Sequence, residues 1–110
     1  MEKDLETVML LDTYSGLLTE KQLRLCDMYY NQDYSLSEIA EIERTSRQAA
    51  RDGISKARQK LISFEQALGL CDRRQRTNNA LDEARRLAQD AEMKQIINEI
   101  SDIWGNDNGV

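Results

Sequence analysis

Ser46, Arg47, Gln48 and Arg51 stand together at the start of a helix-forming stretch. Side chains at the start of such a helix can reach base edges. Arginine makes a two-pronged contact with guanine, and glutamine does the same with adenine. Arg44, Ser55, Lys56 and Arg58 surround them and suit phosphate oxygens, which fix register without reading sequence. These eight residues are the candidate nucleic-acid contacts, and the chemistry they offer is binding. Catalysis has little to work with. The chain has no histidine, so imidazole acid–base pairs and histidine metal sites are excluded. Cys26 and Cys71 form no CxxC pair, and the spacing indicates no catalytic, metal or cofactor site. The expectation is a protein that is not an enzyme.

A net charge of −5 speaks against a nucleic-acid partner until it is divided along the chain. Residues 1–43 hold ten acids and three bases, and residues 61–110 hold nine acids and six bases. Between them, 44–60 carry Arg44, Arg47, Arg51, Lys56, Arg58 and Lys60 against Asp52 alone. One basic stretch therefore lies inside an acidic chain, and it coincides with the candidate contacts.

The elements that position these residues read as helices. The 110 residues include no proline, 5% are aromatic and 32% are charged, which disfavours a sandwich or barrel. A first helix spans roughly Asp4 to Tyr14, with Leu5, Val8, Leu11 and Tyr14 as its apolar stripe and Met9 widening it. Thr19 to Gln22 is a capping-box pattern opening a second helix to about Tyr30, with inner face Leu23, Cys26 and Tyr30. Ser35 to Glu38 is another, opening a short helix that buries Leu36, Ile39 and Ala40. Thr45 to Gln48 is a third, close enough to leave only a tight turn between the two. The long helix that follows carries Ala50, Ile54, Ala57, Leu61, Phe64 and Leu68 at 4-3-4-3-4 spacing, and Gly69 stops it. Cys71 to Asn78 reads as a polar connection. Asn79 then caps a last helix, Ala80 to Trp104, whose stripe changes phase near Ile96.

The fold class is thus all-α: a helix-turn-helix domain of four helices with a long fourth helix, plus a C-terminal helix. The expected domains are 1–70 for the helix-turn-helix, 71–104 for the connection and C-terminal helix, and 105–110 for a frayed tail. Gly53 inside the long helix costs about 1 kcal/mol against alanine and could permit a close helix crossing.

Other residues have plainer readings. Cys26 is a small core residue, and Tyr29, Tyr30 and Tyr34 complete the core, with stacking on unpaired bases as the alternative. Glu41 and Glu43 show no partner and read as surface charge. Arg73, Arg74, Arg76, Arg85 and Arg86 form a second basic cluster, either a solvated face or a contact to RNA or a partner. Ile97, Ile100, Ile103 and Trp104 put much apolar surface on a polar helix and predict a homodimer interface. No signal or membrane-spanning stretch is apparent, so the expected location is cytoplasmic with both thiols reduced.

Leu18 to Gln22, Met28-Tyr29-Tyr30, Asp33 to Glu41 and Ser46 to Ala49 resemble the bacterial YlxM-type helix-turn-helix proteins. More widely, Leu18 to Leu61 is similar to the sigma-factor region that reads the −35 promoter element. The resemblance implies a small cytosolic all-helical regulator linked to the signal recognition particle pathway. Its implied partners are DNA or the particle's RNA, and also the particle's proteins. It also places Arg47, Gln48 and Arg51 where a recognition helix faces a groove. The alternative is a protein-interaction module or dimeric adaptor that keeps the fold without binding nucleic acid. The chain departs from such motifs in the turn, with Glu43, Arg44 and Thr45 where an apolar residue, a glycine and another apolar residue are usual. Either the backbone keeps a positive φ at a cost of roughly 1 kcal/mol, or Thr45 caps the helix and the turn takes another path.

Overall fold

Thr19 and Ser35 each start a helix for the reason the sequence suggests. The Thr19 hydroxyl accepts the Gln22 N–H, while the Gln22 side chain accepts the Thr19 N–H, both at 3.1 Å. Ser35 and Glu38 exchange the same pair of bonds at 3.0 and 2.9 Å. In the computed structural model, which describes residues 3–104, these boxes open α2 (Glu20–Cys26) and α3 (Leu36–Glu43). Around them lie α1 (Leu5–Tyr14), α4 (Arg47–Leu68), α5 (Leu70–Leu87) and α6 (Ala91–Ile103). No strand occurs among the described residues, and the all-α class holds. The tail expected at 105–110 lies outside the described residues.

The chain divides into two compact units, Met1–Leu68 and Gly69–Val110. In the first, α4 is the central post, in contact with α1, α2 and α3. Its Ala50, Ile54, Ala57 and Leu61 are buried as the spacing predicts, whereas Phe64 is half-buried and Leu68 exposed. The stripe of α1 is rotated from the expected one. Thr7, Leu10, Leu11 and Tyr14 are buried and Leu5 is 72% exposed, because the Thr7 oxygen has a partner inside: the Arg58 guanidinium donates to it at 3.1 Å. A buried threonine with a satisfied hydroxyl is tolerated in a core.

After Cys26 the helix widens into a π turn, Asp27–Asn31. The extra residue resets the helical phase and Met28, Tyr29 and Tyr30 are all buried, whereas Leu23, in α2 before the turn, is exposed. That corrects the inner face expected from a plain α-helix. Tyr29 and Tyr30 meet edge-to-face at 5.0 Å between ring centres, and Lys3 lies 4.5 Å from the Tyr29 ring. Cys26 is fully buried, and desolvation pushes its thiol up to about 11, so it is an inert core residue.

The second unit differs from the expectation of one connection and one helix. Cys71 to Asn78 is helical, part of α5, and Gly69 (φ +61°) supplies the left-handed break before it. A polar run can remain helical when i,i+4 pairs support it, and Arg76 lies 3.6 Å from Asp72. The expected cap Asn79 is therefore inside α5. The real break falls at Ala88–Asp90, where Asp90 caps α6 by accepting the Met93 N–H at 2.8 Å. The phase change near Ile96 is the trace of that break. No described helix is long and apolar enough to cross a membrane.

Candidate nucleic-acid interface

The turn between α3 and α4 keeps the left-handed residue that its sequence lacks a glycine for. Arg44 takes φ 55° and ψ 50°, and the Thr45 N–H closes back to the Ala40 carbonyl at 2.9 Å. This is the helix-ending motif normally built on glycine. A side chain there costs about 1 kcal/mol. The cap of α4 is Ser46, one residue later than expected: its hydroxyl accepts the Ala49 N–H at 3.0 Å. With alanine three positions on, nothing returns to the Ser46 N–H, and the third box is only half made.

Behind this turn the helices are fixed by contacts invisible in the sequence. Arg24 grips Glu43 with two bonds of 2.9 and 2.8 Å, joining α2 to the end of α3. Glu43 therefore has a partner, contrary to its reading as unpaired surface charge, and the guanidinium holds its carboxyl below the usual range. Gly53 lets α4 approach α2 closely, since a Cβ there would lie 2.8 Å from Leu25 Cδ1. The crossing that the glycine permits is thus present.

The exposed face of α4 follows from this anchoring. Arg47, Arg51 and Ser55 fall in one row, and Gln48, Asp52 and Lys56 fall in the next, all exposed. Arg44 is exposed beside their start. Leu36 of α3, half-buried, completes a shallow cleft of about 250 Å3 with Arg47, Gln48 and Arg51. Among the described residues no ion pair engages Arg44, Arg47, Arg51 or Lys56. Arg58 is the exception among the candidates. It turns to α1, donating to Thr7 and lying 3.9 Å from Asp4, and so belongs to the core network. There the Thr7 hydroxyl, with Arg58 behind it, holds the Asp4 carboxyl low. Lys60 likewise reaches inward, donating to Gln22 at 3.1 Å.

Two features of this face were missed. Asp52 sits within the exposed rows and accepts the Gln48 amide at 2.9 Å, a pairing the i,i+4 spacing could have signalled. The second concerns electrostatics. Five helices carry an acid in the first turn (Glu6, Glu20, Glu38, Asp72 and Glu92), whereas α4 has none and begins on Arg47. A helix start is already positive, so cations there are locally unfavourable and the site attracts anions. Among the described residues no group of three or more acids and cysteines gathers to hold a metal ion.

A family model described as "Putative helix-turn-helix protein, YlxM / p13 like", the UPF0122 family, matches residues 1–103. The chain belongs to this family. A UPF0122 protein of Clostridium perfringens (strain SM101 / Type A) is 41% identical over 111 residues, covering 89% of this chain and 99% of the relative. One from Clostridium botulinum (strain Alaska E43 / Type E3) is 47% identical over 76 residues, covering 69% and 70%. A third, from Thermoanaerobacter sp. (strain X514), is 41% identical over 100 residues, covering 84% and 86%. In this UPF0122 chain α3, the Arg44-Thr45-Ser46 turn and α4 have the arrangement of a helix-turn-helix. The second candidate set lies elsewhere, on α6: Ile97 is 6% exposed, Ile100 39% and Ile103 81%, with Trp104 half-buried at the helix end.

Proposed function

We propose that this UPF0122 chain is a nucleic-acid-binding regulator or accessory factor of the signal recognition particle pathway. Arg44, Arg47, Gln48, Arg51 and Lys56 make the contact, with Ser46 and Ser55 beside them. One observation carries the reading: among the described α-helices α4 alone lacks a first-turn acid, and arginines outside any described ion pair gather at its exposed start. Such a surface gains more from phosphates than the fold gains from it. The pathway link rests on the resemblance to YlxM-type proteins, and DNA or the particle's RNA would satisfy the chemistry equally.

Arg58 contributes by steadying α1 against α4 and does not reach the ligand. A protein-interaction role is the second reading, favoured by the apolar exposure of α6. Filter binding of duplex DNA, particle RNA and a scrambled RNA at two salt concentrations separates the two. Binding that weakens steeply with salt and falls in Arg47→Ala and Arg51→Ala is expected. Salt-insensitive binding, or none to any of the three, overturns the nucleic-acid reading.

A further inference from the structure

Asp52 is the only acid among residues 44–60, and it stands within the exposed rows that carry the candidate contacts. A carboxylate there repels phosphates, so a surface made only to hold a nucleic-acid backbone has no use for it. Cations are at hand: Arg51 is its neighbour, and Lys56 lies four residues on, the spacing of a helical ion pair. Among the described residues Asp52 nevertheless makes no ion pair. Its partner is the Gln48 side-chain amide, which donates to Asp52 Oδ1 at 2.9 Å.

That bond decides which way round the amide is held. A carboxylate only accepts, so the Gln48 nitrogen is turned to Asp52 and Oε1 is not. Gln48 keeps one N–H and its carbonyl oxygen for a ligand, at the cleft it lines with Leu36, Arg47 and Arg51. One donor and one acceptor complement the N7 and N6–H of adenine. Guanine presents two acceptors, N7 and O6, on the same edge. A free glutamine can turn its amide to offer both N–H groups to guanine. An amide tied to Asp52 has one N–H engaged, and its oxygen would meet O6.

We propose that Gln48 reads adenine and that Asp52 is its positioning residue, rejecting guanine by denying the amide its second donor. The inference rests on the nucleic-acid reading above and goes beyond it in naming the base that the face selects. The same adenine edge is open in the major groove of duplex DNA and on unpaired bases of RNA, so both are tested.

The full chain is used to select binders from a randomised duplex DNA pool and a randomised single-stranded RNA pool. In at least one pool, one position should favour adenine over guanine by about tenfold. Replacing that adenine with unsubstituted purine, which lacks the N6 amino group, should cost a similar factor. Gln48→Ala removes the preference. Asp52→Ala brings guanine level with adenine while overall affinity rises, and circular dichroism shows the helix content of both variants unchanged. An acid that only supports the helix or only repels phosphate leaves the adenine-to-guanine ratio as it was in Asp52→Ala, and that result overturns the inference. A preference that survives Gln48→Ala overturns it too. Salt-steep binding with no adenine preference leaves the proposed function standing and overturns this inference alone, whereas no binding to either pool overturns both.

Discussion

At the start of α3, Ser35 accepts one backbone N–H and Glu38 returns the favour. At the start of α4, Ser46 accepts the Ala49 N–H and nothing comes back. The two starts lie in one motif and use the same cap residue, yet one is completed with an acid and the other is surrounded by arginines. The turn between them adds to the contrast, because Arg44 occupies a left-handed conformation that Gly69 adopts without strain at the far end of α4. α3 is finished for stability. α4 has given up a reciprocal bond, a favourable first-turn charge and a relaxed turn residue, and each loss leaves positive charge at one exposed spot. Under the proposed nucleic-acid role, local stability and ligand attraction compete there, and attraction has prevailed.

That contrast can be broken most sharply by removing the charge. Arg47→Ala with Arg51→Ala should lower affinity for nucleic acid by tenfold or more, roughly, and reduce the salt slope by about 2, read from filter binding across a salt series. Making α4 start like α3 should move two quantities in opposite directions. Ala49→Glu completes the box and adds a first-turn acid, so thermal unfolding should show a gain of about 0.5–1 kcal/mol while affinity falls. If stability and affinity rise together, the competition is not real. Arg44→Gly is the milder version: strain relief of up to about 1 kcal/mol, with a salt slope lower by about 1. Asp52→Asn should raise affinity a few-fold without changing the unfolding midpoint by much, since it removes the one acid from the exposed rows.

The smallest effect belongs to the α3 side and is read against pH. Hydrogen bonds from the Ser35 N–H to Glu38 and from Arg24 to Glu43 hold both carboxyls below their ordinary value of 4.5. Their contribution to stability is present above that value and is lost as pH falls through the lowered ones. Glu43→Gln should therefore flatten the acid limb of a midpoint-against-pH curve. Glu38 is exposed, and the Arg24 that partners Glu43 is half exposed, so the change should be modest.

Legibility varied with how local the physics was. Capping boxes at Thr19 and Ser35 and the seam from Ala50 to Leu61 were readable because each depends on residues one turn apart. The π turn was not, since nothing in Asp27 to Asn31 announces an extra residue until Met28, Tyr29 and Tyr30 are seen buried together. The helicity of Cys71 to Asn78 was hidden by polar composition, and the break at Ala88–Asp90 by alanines that fit a continuous stripe. At the candidate interface, the exposure of Arg47, Gln48 and Arg51 at the start of α4 was legible from their place after the turn. The inward contact of Arg58 was not legible, because position on a basic stretch does not reveal a buried Thr7 on another helix. The Arg24–Glu43 grip joins residues 19 apart, a distance at which sequence pattern carries no signal.

Gly53 bears on how the interface can be adjusted. It lies on the side of α4 away from Arg51, where a single added methyl would meet Leu25 at 2.8 Å. How closely α4 sits on the Leu25 side chain of α2 is therefore set from the rear by an atom that is missing. Under the proposed role, position 53 is a place where the seat of the contact helix could be altered without touching any residue the nucleic acid would meet.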